Sequence, residues 1–482
     1  MLQTEGRSSP PADPLSDRGF LLVTALGCVA AVALHLPSLS MPMIWFDDFP
    51  MLVESWTWPA VLDHFWEPFN EHSMPLGRVS TWGLAQLAGP VTRLPSATAV
   101  QGPLAVLIGM GLLYVFVRRE TGQRFAALLA MVLFGVTTVY VEAVTWFASS
   151  FSILTLDTML LALLSAQRWR QRGGWPFLLL SALFVALAPG WFASGILAGP
   201  LCCVYFLAQD SERVVGTTRR WLTALVPLAG TAAFLVTTLP HTAWRINHLH
   251  HYGEKTAVEA FNPLVGIQNT CRSLVDNLLL GPFGITGLIG PVWIVPLGVA
   301  LLIGLGVLWW RRAERRRLLL LGLAFILCSD LLVYSARAAW SYEGQVHAWT
   351  RYNLLPHLGL TLLLCGGLAR TDVENCGRVT RPQYKFLAIL MLMLLVINLP
   401  RGIAVAPTHR AEQMEVLREV EAMDARCREL HIDAEAARQV FGVLFVPYCG
   451  EDSNGWKFLR GSADPWPYSK EEVKALLVAE GR

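Results

Sequence analysis

Apolar residues run in long stretches through most of the chain, separated by short clusters rich in arginine. A stretch near 20 residues, rising about 1.5 Å per residue as a helix, crosses a hydrocarbon core about 30 Å thick. The pattern predicts eleven spans, at about 19–39, 97–117, 124–141, 151–167, 175–188, 190–207, 221–240, 286–310, 318–335, 353–369 and 385–400. The first of these, Phe20 to Leu39, also resembles a signal peptide, with Ala31-Val32-Ala33 at the place of a cleavage site. The acidic pair that follows so closely favours an uncleaved first helix. Segment 79–96 is apolar too, but a helix lying at the interface there keeps the arginine clusters on one side of the membrane. The uncharged Ala188-Pro189-Gly190 predicts a tight turn between the fifth and sixth spans.

The order of arginines sets the orientation. With the N-terminus inside, RRETGQR (118–124), RWRQR (168–172), ERVVGTTRR (212–220), RRAERRR (311–317) and the stretch from Arg370 to Lys385 are cytoplasmic. Of the 38 Lys and Arg, 20 then lie inside, 7 lie in outer loops and 11 follow residue 400. The exoplasmic loops are 40–96, 241–285 and 336–352, so the irregular sequence collects outside. Residues 1–18 form a cytoplasmic N-terminus and 19–400 the membrane domain. Beyond it, HRAEQMEVLREVEAMDARCRELHIDAEAARQVF places Met414, Leu417, Val420 and Met423 at helical spacing. GVLFVPYC then reads as a strand and SKEEVKALLVAE as a short helix, giving a small exoplasmic α/β domain over 401–482. Cys427 and Cys449 both fall in it, either as a disulfide on the oxidising side or as two unrelated small core residues.

Composition agrees: 54% of residues are hydrophobic, 15% are charged and mean hydropathy is +0.45. Soluble domains carry about a quarter charged residues. A net charge of +2 with no basic tract excludes a nucleic-acid partner. The fold class expected is an all-α polytopic membrane protein with its C-terminus exoplasmic.

Candidate chemistry sits almost wholly on the expected outer face. WFDDFPML places Asp47 and Asp48 directly after the first span. Asp48 before Pro50 is also a helix-start signal, so a cap competes with a catalytic role there. WEPFNEHSMPLGRVSTW adds Glu67, Glu71, His72 and Arg78. WTRYNLLPHLGL puts Arg351 and Tyr352 at the mouth of the tenth span; a guanidinium there either snorkels to the interface or bonds two phosphate oxygens through its planar fork. VYVEAVTWFASS contributes Glu142 and Trp146. In HTAWRINHLHHY a helix would align His241, Arg245, His248 and Tyr252. Asp157 and Asp330 are carboxylates inside spans, where Asp330 reads as a helix-packing group.

These motifs resemble the GT-C superfamily of polyprenyl-phosphate-sugar-dependent glycosyltransferases, across roughly residues 19–400. FDDF is similar to that family's first-loop Asp motif, and EHSMPLGR to its first-loop His/Pro/Leu/Arg stretch. YVEAVTW and RYNLLPHLG resemble segments of the protein O-mannosyltransferase and aminoarabinose-transferase-like branch. The chain departs from that branch where Thr137-Thr138 stand in place of His-Pro, and where Ser150 and Ser152 follow the Trp. The resemblance implies an inverting transfer of a sugar from a polyprenyl-phosphate donor to a hydroxyl on a glycan, lipid or protein acceptor. It makes Asp47 the base, with Asp48 the competing assignment. Arg351 becomes the first phosphate-binding candidate, backed by Tyr352, His72, Arg78, Glu71, Glu142, Arg245, His248 and Arg337. No cofactor is required; a divalent Mg or Mn held by Asp47, Asp48 and His72 is compatible. The expected location is a plasma membrane, bacterial inner membrane ahead of ER, with the site on the periplasmic side. Two rivals remain: a secondary transporter, which predicts inverted repeats and midplane sites, and a catalytically silent scaffold of the same fold.

Overall fold

In the computed structural model the described residues are 14–40, 48–55, 57–69, 72–88, 94–208, 217–248, 261–285, 289–311, 316–337, 350–369 and 379–404. The expected domain over 401–482, with Cys427 and Cys449, lies outside them apart from its first four residues.

The protein is an all-α polytopic membrane protein. Its helices are α1 (Pro14–Ser40), α2 (Asp48–Val53), α3 (Trp58–Asp63), α4 (Pro75–Ala88), α5 (Leu94–Thr121), α6 (Arg124–Gly135), α7 (Val141–Thr145), α8 (Phe147–Arg172), α9 (Trp175–Trp191), α10 (Ala198–Leu207), α11 (Thr217–His248), α12 (Pro263–Arg272), α13 (Pro291–Arg311), α14 (Arg316–Ala336), α15 (Leu354–Leu368) and α16 (Arg381–Ala404). A two-stranded antiparallel hairpin, β1 (Pro68–Phe69) and β2 (His72–Ser73), interrupts the first loop, with Phe69 opposite His72. Among the described residues six helices are long and apolar enough to cross a membrane, and four apolar helices are shorter. α4 has 14 residues, about 21 Å of helix, which is too short to span and suits an interfacial or buried position.

Burial ranks the helices. In α8, 89% of the most apolar window is buried, against 33% in α1 and 28% in α16. α8 is therefore the central strut, while α1 and α16 present Leu21, Leu22, Val29, Ile389, Leu392 and Val396 outward. An apolar outer face is what lipid requires. α14 and α15 cross at glycine: a Cβ on Gly359 would stand 2.5 Å from the Gly322 carbonyl oxygen, and one on Gly322 would stand 2.6 Å from that of Gly359. Close backbone approach of this kind is how helices associate where burial from water supplies no drive.

Three expectations change. The third span, expected over 124–141, is helical only to Gly135. Val136-Thr137-Thr138-Val139 is a β-branched run with poor helix propensity. Its exposed backbone groups are met by side chains instead: Asn398 Oδ1 accepts from the Thr138 N–H (3.1 Å) and hydroxyl (2.7 Å), and Asn353 Nδ2 donates to the Val139 carbonyl (3.1 Å). The turn expected at Ala188-Pro189-Gly190 falls later. α9 runs through Pro189 to Trp191, Phe192 is extended, and a 3-10 turn follows over Ala193–Leu197. Gly195 allows this, because a Cβ there would lie 2.3 Å from the Ala188 carbonyl carbon. Much of the expected loop 241–285 is helical. α11 continues through Pro240 to His248, and α12 passes into a π-helical turn over Ser273–Leu280.

The end of α8 opposite Phe147 is locked by a buried carboxylate. Glu120 on α5 accepts from Arg317 of α14 (3.0 Å), from Gln167 of α8 (3.2 Å) and from the Tyr205 hydroxyl of α10, and pairs with Arg170 of α8 at 3.4 Å. A buried charge with this many donors is compensated, and removal of any one donor is costly.

The glycine crossing gives a direct test. Gly359→Ala is expected to lower the thermal unfolding midpoint in detergent, by strain of order 1–3 kcal/mol. Gly304→Ala, whose Cβ would meet open space, is the control and should leave the midpoint unchanged or slightly raised.

Candidate active site

The interruption between α6 and α8 creates the site. It carries the short helix α7 and with it Glu142, one turn ahead of Trp146. The Glu142 N–H donates to Thr350 Oγ1 (3.0 Å), and its carboxylate accepts from the Arg351 backbone N–H (3.3 Å). The Arg351 guanidinium lies 3.6 Å from the same carboxylate oxygen. Two segments more than 200 residues apart are thus joined through both backbone and side chain.

Aromatic faces complete the setting of Arg351. Its guanidinium carbon is 4.6 Å from the Trp146 ring centre and 5.0 Å from that of Tyr352. Arg337 lies 5.6 Å from the centre of the same Tyr352 ring. Cation–π contacts restrict a long flexible side chain without consuming its N–H groups. Arg351 is 17% exposed and Glu142 30% exposed, so the pair is reachable from outside. Burial pushes the Glu142 carboxyl above its ordinary range; the charge of Arg351 and the backbone N–H groups of Arg351 and Thr350 pull it back only partly.

Thr350–Asn353 form a 3-10 turn that opens onto α15. Asn353 fixes that turn, donating to Val139 and accepting from Asn277 Nδ2 (3.2 Å) on the π-helical turn. Asn398 of α16 binds Thr138 and also donates to the Pro282 carbonyl (3.0 Å), while Arg401 donates to that of Gly281 (2.8 Å). Thr350 and Asn353 lie within WTRYNLLPHLGL without being singled out there, and Asn277 and Asn398 lie in no motif. A lone Asn in an apolar run is the available signal, because burying an amide without partners is costly.

Asp48 is placed differently from the cap expected for its own helix. It is the first residue of α2, is fully buried, and its Oδ1 accepts from the Ala148 N–H at 2.7 Å. The carboxylate therefore caps α8, one hundred residues away, where the helix dipole favours an anion. Arg78 also takes a role other than the phosphate contact expected of it. It is buried, donates to Glu54 (2.6 Å) and to the Glu67 carbonyl (3.4 Å), and so ties the first loop together. The His72 ring packs against Phe192, tilted by 45° with ring centres 4.6 Å apart. Asp47 and Glu71 lie outside the described residues, as does Tyr252. Arg245 and His248 fall in the last turns of α11. Among the described residues no group of three or more His, Cys, Asp or Glu could hold a metal ion; the candidate set depends on Asp47.

From Ala148 to Arg170, α8 rises about 33 Å, close to the thickness of a hydrocarbon core. Glu142, Arg351 and Asp48 gather at its start, and Glu120 and its partners at its end, so the two polar clusters occupy opposite ends of the bundle.

The Glu142 carboxyl gives a pH test. With its pKa raised on folding, the folded state binds the proton more tightly than the unfolded chain. The protonated form's stabilisation is thus present below the ordinary pKa of 4.5 and is lost as pH rises through the folded value. Thermal midpoints against pH should show this loss in the wild type and not in Glu142→Gln. Arg351→Ala should move the transition to still higher pH, and a shift downward would contradict the pairing.

No protein-family model and no curated protein matches the chain. Among solved structures, the oligosaccharyltransferase of Archaeoglobus fulgidus in its apo form is similar at 13% identity, with a TM-score of 0.41. The match covers 81% of this chain and 57% of that one, so the chain spans little more than half of that protein's length.

Proposed function

We propose that the chain is an integral-membrane inverting glycosyltransferase that moves a sugar from a polyprenyl-phosphate donor to a hydroxyl acceptor on the exoplasmic side. The observation that carries this reading is the pairing of Glu142 with Arg351 at 3.6 Å. Two segments singled out by the family resemblance, YVEAVTW and RYNLLPHLG, meet there at the helix end that Asp48 caps.

In this reading the acceptor hydroxyl attacks the anomeric carbon as the bond to the phosphate oxygen breaks. The hydroxyl proton passes to the carboxylate of Asp47, and the lipid phosphate leaves as an anion. A positioned base contributes about 10²–10⁴ in rate. Arg351 stabilises charge on the leaving phosphate, and its planar fork suits two phosphate oxygens. Tyr352 and Trp146 hold the guanidinium, and Arg337 adds a second positive charge beside Tyr352. Magnesium or manganese shared by Asp47, Asp48 and His72 is compatible with this scheme, though the steps above are carried by Asp47 and Arg351.

The test is transfer of labelled sugar from polyprenyl phosphate in membranes holding equal amounts of each variant. Asp47→Asn is expected to reduce product about 10²–10⁴-fold. Arg351→Ala should reduce it about 10²–10³-fold, the usual cost of deleting a transition-state donor. Asp48→Asn should chiefly lower the thermal midpoint. Product at wild-type level from Asp47→Asn would sink the assignment, and solute uptake without donor consumption would favour a transporter.

A further inference from the structure

At the far end of the bundle the arginines divide into two groups. Arg170 and Arg317 face inward and share the Glu120 carboxylate. Arg119 in the last turn of α5, and Arg168 and Arg172 in the last turns of α8, do not share it. Gln167 holds the two helix ends together, donating to the Phe116 carbonyl and to Glu120, both at 3.2 Å. Arg168 and Arg172 are four residues apart and so lie on one side of α8. Arg119 precedes Glu120 on α5, and the Gln167–Glu120 bond brings that helix end beside the end of α8 that carries Arg168 and Arg172. No ion pair joins any of the three to a carboxylate among the described residues, and Arg172 is exposed.

Part of this charge is ordinary. Both helices end here, with Gly122 and Gly173 at φ +73° just beyond them. Cations are favoured at helix C-termini, each of which carries about half a negative charge. Two termini together carry about one negative charge, so they offset only part of the charge of these arginines. Such a cluster has a place for an anion.

The surroundings indicate which anion. Trp169, directly after Arg168, packs inward, edge-on against Phe206 at 5.4 Å. Trp175, 70% exposed, opens α9 immediately after the arginines of α8, and Leu179 (60%) and Leu183 (51%) continue along the same side at spacings of four. An exposed tryptophan at the head of a strip of exposed leucine marks headgroup depth with acyl chains below. α9 is tied to α8 by the Ser181 hydroxyl, which donates to the Ala162 carbonyl at 3.0 Å. The leucine strip therefore starts beside the arginines and runs into the membrane.

We propose that Arg119, Arg168 and Arg172 form a binding site for the phosphate of an anionic glycerophospholipid, whose acyl chains lie along Trp175, Leu179 and Leu183. The site is independent of the sugar-transfer reading and sits at the other end of α8. On the orientation that the arginine loops set, it faces the cytoplasmic leaflet, the anionic one.

The full chain in neutral detergent is the material for the test. Added phosphatidylglycerol should raise the thermal midpoint saturably, while phosphatidylcholine with the same acyl chains and inorganic phosphate should not. Spin-labelled phosphatidylglycerol in mixed vesicles should show an immobilised fraction with an association constant about fivefold higher per engaged guanidinium than phosphatidylcholine. The preference should disappear in Arg119→Gln/Arg168→Gln/Arg172→Gln and persist in Lys385→Gln, a basic residue elsewhere on the same expected side. Equal immobilisation of the two lipids by the wild type, or a preference retained in the triple variant, overturns the proposal. Protection by inorganic phosphate equal to that by the lipid overturns the lipid assignment in favour of a free-anion site. Should the triple variant fail to fold, the wild-type comparison of the two lipids decides alone.

Discussion

The site depends on one interruption. Between Gly135 and Phe147 the backbone leaves the helix within a bundle that offers little water, and each freed N–H or carbonyl needs a partner there. The partners come from far along the chain: Asp48 for the start of α8, Thr350 for the Glu142 N–H of α7, Asn353 for Val139 and Asn398 for Thr138. Because these bonds satisfy groups that would otherwise be unpaired, their loss costs more than the net value of an exposed hydrogen bond. The same constraint that completes the fold also gathers an acid, a guanidinium and two aromatic rings at one place.

α8 transmits this arrangement across the bundle. Its first turn is held by the Asp48 carboxylate and its last by the Glu120 cluster, so both ends of the strut are fixed by buried anions. Between them Asp157 stands buried, with neither carboxyl oxygen hydrogen-bonded among the described residues. α5 approaches it at Gly109, where a Cβ would lie 2.8 Å from Asp157 Oδ1. The glycine is what lets the two helices pack this closely beside a polar group, and any larger residue would press on the carboxyl.

Much of this architecture was legible in the apolar pattern, because length and hydropathy alone decide whether a helix can cross a membrane. The resemblance of YVEAVTW and RYNLLPHLG to family motifs also pointed to residues that do meet. Residues 136–140 were hard to read as a break: Val, Thr and Tyr are apolar enough to extend a span, and the weak helix propensity of the β-branched run becomes decisive only with the partners at 353 and 398. Pro189 misled in the opposite direction, since a proline is tolerated in a bundle helix when a neighbour such as Gly195 packs against the loosened turn. Arg78 read as a ligand because it is charged in an outer loop. Its partner Glu54, 24 residues earlier, carries no motif and gives no sign of the pairing.

Holding Arg351 this firmly has two opposing effects on anion binding. The Glu142 carboxylate cancels part of the charge that an incoming phosphate would feel, and it occupies one edge of the guanidinium. The aromatic faces and the backbone bonds to the same carboxylate, however, settle the side chain before any ligand arrives. An ordered arginine loses less rotamer freedom on binding than a mobile one, and a donor aimed in advance needs no reorganisation as charge develops. Burial favours the neutral form of Glu142 and so weakens its claim on the guanidinium. A phosphodiester anion placed beside Arg351 would strengthen that tendency, because two anions beside one guanidinium repel each other. In the proposed reading Glu142 therefore serves to hold Arg351 in position before a phosphate arrives.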